Sequence, residues 1–219
     1  MAANDVVRKV AAHLQRSLKA AGFAYDSKRR AFYRDATAGY RDAADRNVVM
    51  FDLQPNKWST ASEVQVTINY GVRSTRVARV LDTDQLGVPA VSECHWRDRI
   101  TGEDGRERWL TISADDEPEV RAAEWLAIIS EQVIPELEKH ATDESLRDVW
   151  MTGRGSGLTQ SQRLLYLVLM LRDLGPQERL TPVVEELWAL AAGTTREGVV
   201  SRQLARLGLD KPQAAQTTP

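Results

Sequence analysis

The sequence has few of the residues that mark specialised classes of protein. It holds one cysteine, so no disulfide forms within the chain, and its three histidines are far apart, which argues against a zinc site. No apolar run approaches the ~20 residues of a membrane-spanning helix, and the first residues do not form a secretory leader. The net charge of -2 gives no overall field towards an anionic polymer. We therefore expect a cytoplasmic protein, with neither a membrane nor a nucleic acid as partner.

Two patterns resemble ligand sites but are incomplete. The glycines of Gly153-Arg-Gly-Ser-Gly157 lack the Gly-Lys-[Ser/Thr] ending of a phosphate loop. Asp82, Asp84, Gly87 and Glu93 match the first, third, sixth and twelfth positions of a calcium-binding loop. The fifth position, which should carry an oxygen ligand, is the apolar Leu86. The sequence therefore predicts no metal and no cofactor.

Hydrophobic periodicity predicts a helix followed by a series of strands. Residues 2–21 repeat apolar side chains at helical spacing, and Gly22 is typical of a helix end. Short runs rich in aromatic and branched residues follow, separated by turn-forming residues. The predicted strands cover residues 31–35, 48–54, 64–72, 94–100 and 108–112, with a short helix within 74–86. Since the connections are short, we expect antiparallel pairing.

The second half of the chain has helical spacing throughout. Residues 115–140 carry an apolar stripe, which Pro135 should kink or divide near Ile134 because proline lacks an amide donor. Further helices are expected from Thr159, which forms a capping box with Gln162, and over residues 180–192 and 199–207. We therefore predict a domain over residues 1–152, a glycine-rich linker at 153–158, a helical subdomain at 159–209 and a disordered tail at 210–219.

Together these segments predict an α+β fold. An N-terminal helix should pack on an antiparallel sheet of about four to six strands, and the C-terminal helices should follow.

Polar side chains alternate with apolar ones along two of the predicted strands. Asn69 belongs to the polar set of one strand, and His95, Arg97 and Arg99 form the polar set of another, while Gln54 ends a third. If the apolar sides all face the helices, these five side chains share one surface. Arginine forks match carboxylates and phosphates, so this surface could hold an anion. An ordinary solvated sheet face gives the same alternation.

Two other residues allow competing interpretations. Trp58 lies in a polar loop, where an aromatic ring is either an interface anchor or a lid on the adjacent core. Cys94 precedes His95, but adjacent strand residues point to opposite faces, so a thiol nucleophile with its base is not expected. We place Cys94 on the apolar side with Trp96 and Ile100, as a buried residue.

The motifs in this order resemble a bacterial family catalogued as domain of unknown function 4304. The resemblance covers about residues 5–150 and rests on a helix ending in Gly-Phe, an aromatic-aromatic-Arg strand, and three further motifs. In this chain they are Gly22-Phe23, Phe32-Tyr33-Arg34, Phe51-Asp52-Leu53-Gln54, Thr67-Ile68-Asn69-Tyr70-Gly71-Val72 and Cys94-His95-Trp96-Arg97-Asp98-Arg99-Ile100. Lys57 and Trp58 depart from the family's pattern. The resemblance implies a fold and a set of marked polar positions, but no reaction.

We predict a non-enzymatic binding or adaptor protein, of an immunity-like or defence-associated kind, that uses Gln54, Asn69, His95, Arg97, Arg99 and Trp58 to hold a protein partner or a small anionic ligand. The alternative is an enzyme acting on a phosphorylated or nucleotide substrate, with His95 as acid or base and the two arginines as anion clamps.

Overall fold

The computed structural model describes residues 2–36, 46–81, 89–155 and 157–209. The first part of the chain is a helix followed by strands, with a short helix after the fourth strand. Its elements are α1 (Ala3–Leu18), β1 (Ala24–Asp26), β2 (Ala31–Asp35), β3 (Val48–Pro55), β4 (Glu63–Arg73), α2 (Thr75–Leu81), β5 (Trp96–Arg99) and β6 (Leu110–Ser113). Helices occupy the rest: α3 (Pro118–Ile128), α4 (Ile134–Lys139), α5 (Asp143–Met151), α6 (Gln160–Leu174), α7 (Leu180–Ala191) and α8 (Glu197–Arg206). The predicted α+β fold is confirmed.

The strands form one antiparallel sheet of six strands in the described part of the chain. The order is β1-β2-β3-β4-β5, and β6 also pairs with β4. β4 is the longest strand, and it pairs with β3 through Val66–Arg73, with β5 through Asn69–Val72 and with β6 through Glu63–Val66. The apolar set predicted in β4 is buried as expected: Val64, Val66, Ile68, Tyr70 and Val72. On the other face Gln65 and Asn69 are half-buried, but Thr67 and Gly71 are buried too.

The apolar face of the sheet packs against α1 and α4, and α3 packs against α1. α1 turns its buried side chains towards this face, and it ends through a short 3₁₀ turn at Gly22, as the sequence predicts. The opposite face of the sheet carries the polar side chains. We call it the cleft face.

The helix break predicted near Pro135 is a short π-helical segment. α3 leads directly into a π-helical segment, Ile129–Val133, which is followed by α4. Pro135 is the second residue of α4, directly after the π segment. The widened π turn lets the chain continue with Ile129, Val133 and Leu137 all buried on one side.

The C-terminal helices share the core of the sheet. α6 begins with the predicted capping box, in which Thr159 Oγ1 accepts a hydrogen bond from the amide of Gln162. Buried apolar residues of α6, α7 and α8 belong to the same continuous cluster as those of α1 and the sheet. The division into two units at residues 153–158 therefore stays a prediction.

A buried polar network joins the start of β3 to α2 and α5. The Asp143 carboxylate is 4% exposed and accepts hydrogen bonds from Ser74 Oγ at 2.8 Å, Asn47 Nδ2 at 3.1 Å and Arg76 Nε at 2.9 Å. Arg76 also bonds Asp173 of α6 at 3.1 Å. We call these five residues the Asp143 network. Each charged group in this network forms an ion pair with a group of opposite charge.

Some predictions lie outside the described residues. They are the disordered tail at 210–219 and most of the calcium-like spacing, at residues 82–88. Within the described ranges, no group of ligating side chains could hold a metal ion, and no helix is both long and apolar enough to cross a membrane.

Candidate functional site

A cleft of about 730 Å³ opens on the cleft face of the sheet. Residues from four parts of the chain line it: the β1–β2 turn, the strands β3 to β5, a short 3₁₀ segment before β5, and the α5–α6 linker. The lining consists of Lys28, Arg29, Arg30, Asp52, Leu53, Gln54, Pro55, Asn69, Val91, Ser92, Arg97, Asp98, Arg99 and Gly157. Five of these side chains are cationic and two are carboxylates, so the cleft is electropositive.

A row of polar side chains crosses the sheet at the floor of the cleft. Asp52 of β3 stands opposite Asn69 of β4, which stands opposite Arg99 of β5. Asn69 Nδ2 donates to Asp52 Oδ1 at 2.9 Å and to Gln54 Oε1 at 2.7 Å. Burial raises the pKa of the Asp52 carboxyl, while the hydrogen bond from Asn69 and the charge of Arg99 oppose that rise.

The two arginines of β5 differ in their pairing. Arg99 Nη1 lies 2.5 Å from Glu107 Oε1, so part of its charge is balanced. Arg97 donates to the carbonyl oxygen of Ser92, which is neutral, and so its charge is not balanced by that contact. The α5–α6 linker crosses Arg97 at Gly157. This residue has φ +70°, and a Cβ atom there would clash with Cγ of Arg97, so only glycine suits the position.

The β1–β2 turn supplies the other three cations. Asp26 Oδ1 accepts hydrogen bonds from the amides of Lys28 at 2.9 Å and Arg29 at 3.3 Å, which fixes the turn without using either side chain. Lys28, Arg29 and Arg30 have no carboxylate partner in the described part of the chain.

Arg30 is held in a conformation that disfavours its residue type. Its φ is +53°, and it is the one non-glycine residue with a positive φ among those the structure describes. Glycine would adopt this backbone without strain, whereas an L side chain costs about 1–2 kcal/mol there. Strained residues of this kind are often found at functional sites, and Arg30 lines the cleft.

Four of the six residues predicted as binding residues come together in this cleft. Gln54, Asn69, Arg97 and Arg99 all line it, whereas His95 and Trp58 lie elsewhere. The three cations of the β1–β2 turn were missed. The signal was the run Lys28-Arg29-Arg30 directly before an aromatic strand, which strand alternation does not assess because the run lies in a turn.

The expectation that His95 is exposed on the polar face is wrong. His95 is 1% exposed, and its Nδ1 accepts a hydrogen bond from the amide of Ser74 at 3.0 Å. Its ring packs against that of Tyr166 of α6 in a T-shaped arrangement, with 4.9 Å between the ring centres. α6 covers this end of the cleft face. Strand periodicity cannot predict that contact, because it is made between distant parts of the chain.

The expectation that Cys94 lies on the apolar face with Trp96 and Ile100 is also wrong, although Cys94 is buried as predicted. It precedes β5 and belongs to a small separate cluster with Ala31, Met50 and Val91. Its chain segment lies close against Gly71, where a Cβ atom would be 2.7 Å from Cβ of Cys94. Burial raises the pKa of the Cys94 thiol, which opposes the formation of a thiolate.

Trp58 does not act as a lid on the core. Its side chain is 77% exposed, and Lys57 Nζ lies 4.9 Å from the centre of its ring. The interpretation as an interface anchor stays a prediction.

One family model matches the chain, over residues 14–139, and its description is a domain of unknown function (DUF4304). Neither a curated protein nor a solved structure matches. The matched range contains every lining residue of the cleft except Gly157. Because this match covers more than half of the residues, the chain belongs to the family of domain of unknown function 4304.

Proposed function

We propose that the protein is a binding protein whose cleft holds an anionic ligand or partner. The observation that carries the proposal is the excess of cations in the cleft: five cationic side chains face two carboxylates, and the three on the β1–β2 turn are unpaired within the described residues. Unpaired cations gathered in a concave site raise the local concentration of anions and bind them through charge-assisted hydrogen bonds.

An acid–base role for His95 receives no support from its position. The ring is buried, its Nδ1 accepts a hydrogen bond from the amide of Ser74, and Tyr166 packs against it. We therefore propose binding rather than catalysis. Under this proposal the protein works as a binding module in the bacterial cytoplasm. The adaptor and defence-associated roles remain hypotheses, for which the neighbouring genes are the first test.

The test is a charge reversal in the β1–β2 turn, with a control that makes the same change in charge on α1 and the 3₁₀ turn after it. The double variant Lys28→Glu/Arg29→Glu changes two exposed side chains that make no described contacts. Its control, Lys9→Glu/Lys19→Glu, has the same change in net charge. Lys9 is exposed on α1, which packs against the opposite face, and Lys19 is exposed in the 3₁₀ turn that follows α1. Thermal unfolding is measured with inorganic phosphate, glucose 6-phosphate and a poly-glutamate peptide.

We expect at least one of these anions to raise the unfolding temperature of the wild type and of the control, but not that of the turn variant. The proposal is overturned if none of the anions stabilises the wild type, or if the turn variant responds as strongly as the control does.

A further inference from the structure

A carboxylate lies among the cations of the cleft. Asp52 is at the floor, between Asn69 and the β2 strand, and its neighbours around the cleft carry positive charge. A site that only had to attract anions would gain affinity by replacing this carboxylate, since it repels any anion that approaches it. Asp52 therefore indicates a second requirement on the ligand besides its negative charge.

The hydrogen-bonding capacity at the floor is only partly used inside the protein. Both side-chain hydrogen bonds described for Asn69 are donated by Nδ2, so its Oδ1 has no hydrogen-bond partner among the described residues. Asp52 Oδ2 and Gln54 Nε2 also have no hydrogen-bond partner there. Two acceptors and one donor thus remain beside each other. Acceptors of this kind bind hydroxyl groups, each of which can donate one hydrogen bond.

The cations favour a doubly charged group over a singly charged one. Lys28, Arg29 and Arg30 are adjacent on one turn, and Arg97 lies across the cleft with only a carbonyl as its described partner. A phosphate monoester carries about -1.5 to -2 charges at neutral pH and three acceptor oxygens, whereas a carboxylate carries one charge and two oxygens. The phosphate matches the number of unpaired donors better.

The size of the cleft favours a small molecule over an extended peptide. About 730 Å³ falls within the ~300–1,000 Å³ range typical of small-molecule sites. The 3₁₀ segment at Val91 and Ser92 and the linker at Gly157 add walls to the sheet floor. Carboxylates of an acidic peptide would also lie against Asp52, which opposes their binding.

We propose that the cleft binds a phosphorylated polyol or sugar, with its phosphate on the cations of the β1–β2 turn and its hydroxyl groups on Asp52 and Asn69. Asp52 is the residue that determines specificity, because it distinguishes a hydroxylated phosphate from a bare one. This inference rests on the proposed anion-binding function and adds the chemical class of the ligand.

The test compares four probes that separate the two requirements. Glucose 6-phosphate has both the phosphate and the hydroxyl groups, n-hexyl phosphate lacks the hydroxyl groups, glucose lacks the phosphate, and inorganic phosphate lacks the carbon skeleton. Affinities are measured by isothermal titration calorimetry for the full chain. We expect glucose 6-phosphate to bind at least about tenfold more tightly than each of the other three, the factor that one or two hydrogen bonds to a charged group provide.

The variant Asp52→Asn should reduce that preference while the protein stays folded. Asparagine keeps the oxygen that accepts from Asn69, but it removes the ionised acceptor for the ligand. We expect the affinity ratio of glucose 6-phosphate to n-hexyl phosphate to fall to within about threefold. Asp98→Asn is the charge-matched control: Asp98 lies between Arg97 and Arg99 on β5, at the rim of the cleft, but its side chain alternates to the other face of the sheet. It should raise both affinities by a similar factor and leave their ratio unchanged.

Different results separate this inference from the proposed function. If n-hexyl phosphate or inorganic phosphate binds as tightly as glucose 6-phosphate, or if Asp52→Asn keeps the wild-type ratio, the ligand class is wrong but anion binding stands. If only a poly-glutamate peptide binds, the ligand is an acidic peptide and the inference is again overturned. If no anion binds the wild type, both proposals fail together.

Discussion

The Asp143 network and the cleft use the same residue types in opposite ways. In the Asp143 network one buried carboxylate accepts hydrogen bonds from Arg76, a hydroxyl and an amide, and Arg76 also donates a hydrogen bond to Asp173. In the cleft, the described residues leave the three cations of the β1–β2 turn without any carboxylate. Pairing that is complete inside the protein stabilises the fold, whereas donors left unpaired in a cleft are available to a ligand.

This difference predicts opposite consequences of mutation. Changes in the Asp143 network should lower stability, because they leave buried polar groups without partners. Changes in the cleft should alter binding and leave stability close to that of the wild type.

The largest loss of stability is expected for Asp143→Ala. The substitution leaves Arg76, Ser74 and Asn47 without their shared acceptor in a buried site, and breaking such a pair costs about 3–5 kcal/mol. Chemical denaturation measures this free energy of unfolding. A loss below about 1 kcal/mol would show that water or another side chain replaces the carboxylate, and the contrast with the cleft would then disappear.

The next effect compares the two faces of β4. Ile68 is fully buried on the apolar face, so Ile68→Ala should cost about 2–5 kcal/mol. Asn69 is the next residue and faces the cleft, where Asn69→Ala removes two hydrogen bonds from partly exposed groups and should cost about 1 kcal/mol. If chemical denaturation gave the reverse order, the assignment of the two faces would be wrong.

This contrast along β4 also shows what the sequence alone could predict. Alternation over one strand is a local property, so the burial of Ile68 and the exposure of Asn69 to the cleft follow from spacing. The same reasoning selected Arg97 and Arg99. It failed at His95, because whether a polar side chain on that face is exposed depends on α6, about seventy residues further along the chain.

The cations of the turn illustrate the second limit of sequence reasoning. Lys28, Arg29 and Arg30 are visible as a basic run, but a basic run is usually a solvated surface. Their importance depends on the turn lying beside the floor of Asp52 and Asn69, which is a tertiary property. The positive φ of Arg30 is equally invisible in the sequence, since the favoured residue at such a position is glycine.

A smaller effect on stability is expected for Asp52→Asn, and it should depend on pH. Burial raises the pKa of Asp52 in the folded state, so the ionised carboxylate is less favourable there than in the unfolded chain. At neutral pH the variant should therefore be more stable than the wild type. The gain should fade as the pH falls through the raised pKa of the folded state, and it should be gone below about 3.9, where the carboxyl is protonated in both states.

Denaturation curves of the wild type and Asp52→Asn at several pH values measure this gain. If the variant were less stable than the wild type at neutral pH, Asp52 would stabilise the fold. It would then resemble the residues of the Asp143 network and not those that we assign to ligand binding.

The most direct test of the central claim is Arg30→Gly, measured for stability and for binding together. Glycine adopts the positive φ of this position without strain, so the free energy of unfolding should stay within about 1 kcal/mol of the wild type. Binding should fall at least about tenfold, because one charge-assisted donor is lost. The probe is whichever of glucose 6-phosphate and the poly-glutamate peptide binds the wild type. Unchanged affinity in a variant that has lost stability would contradict the account, since Arg30 would then serve the fold and not the cleft.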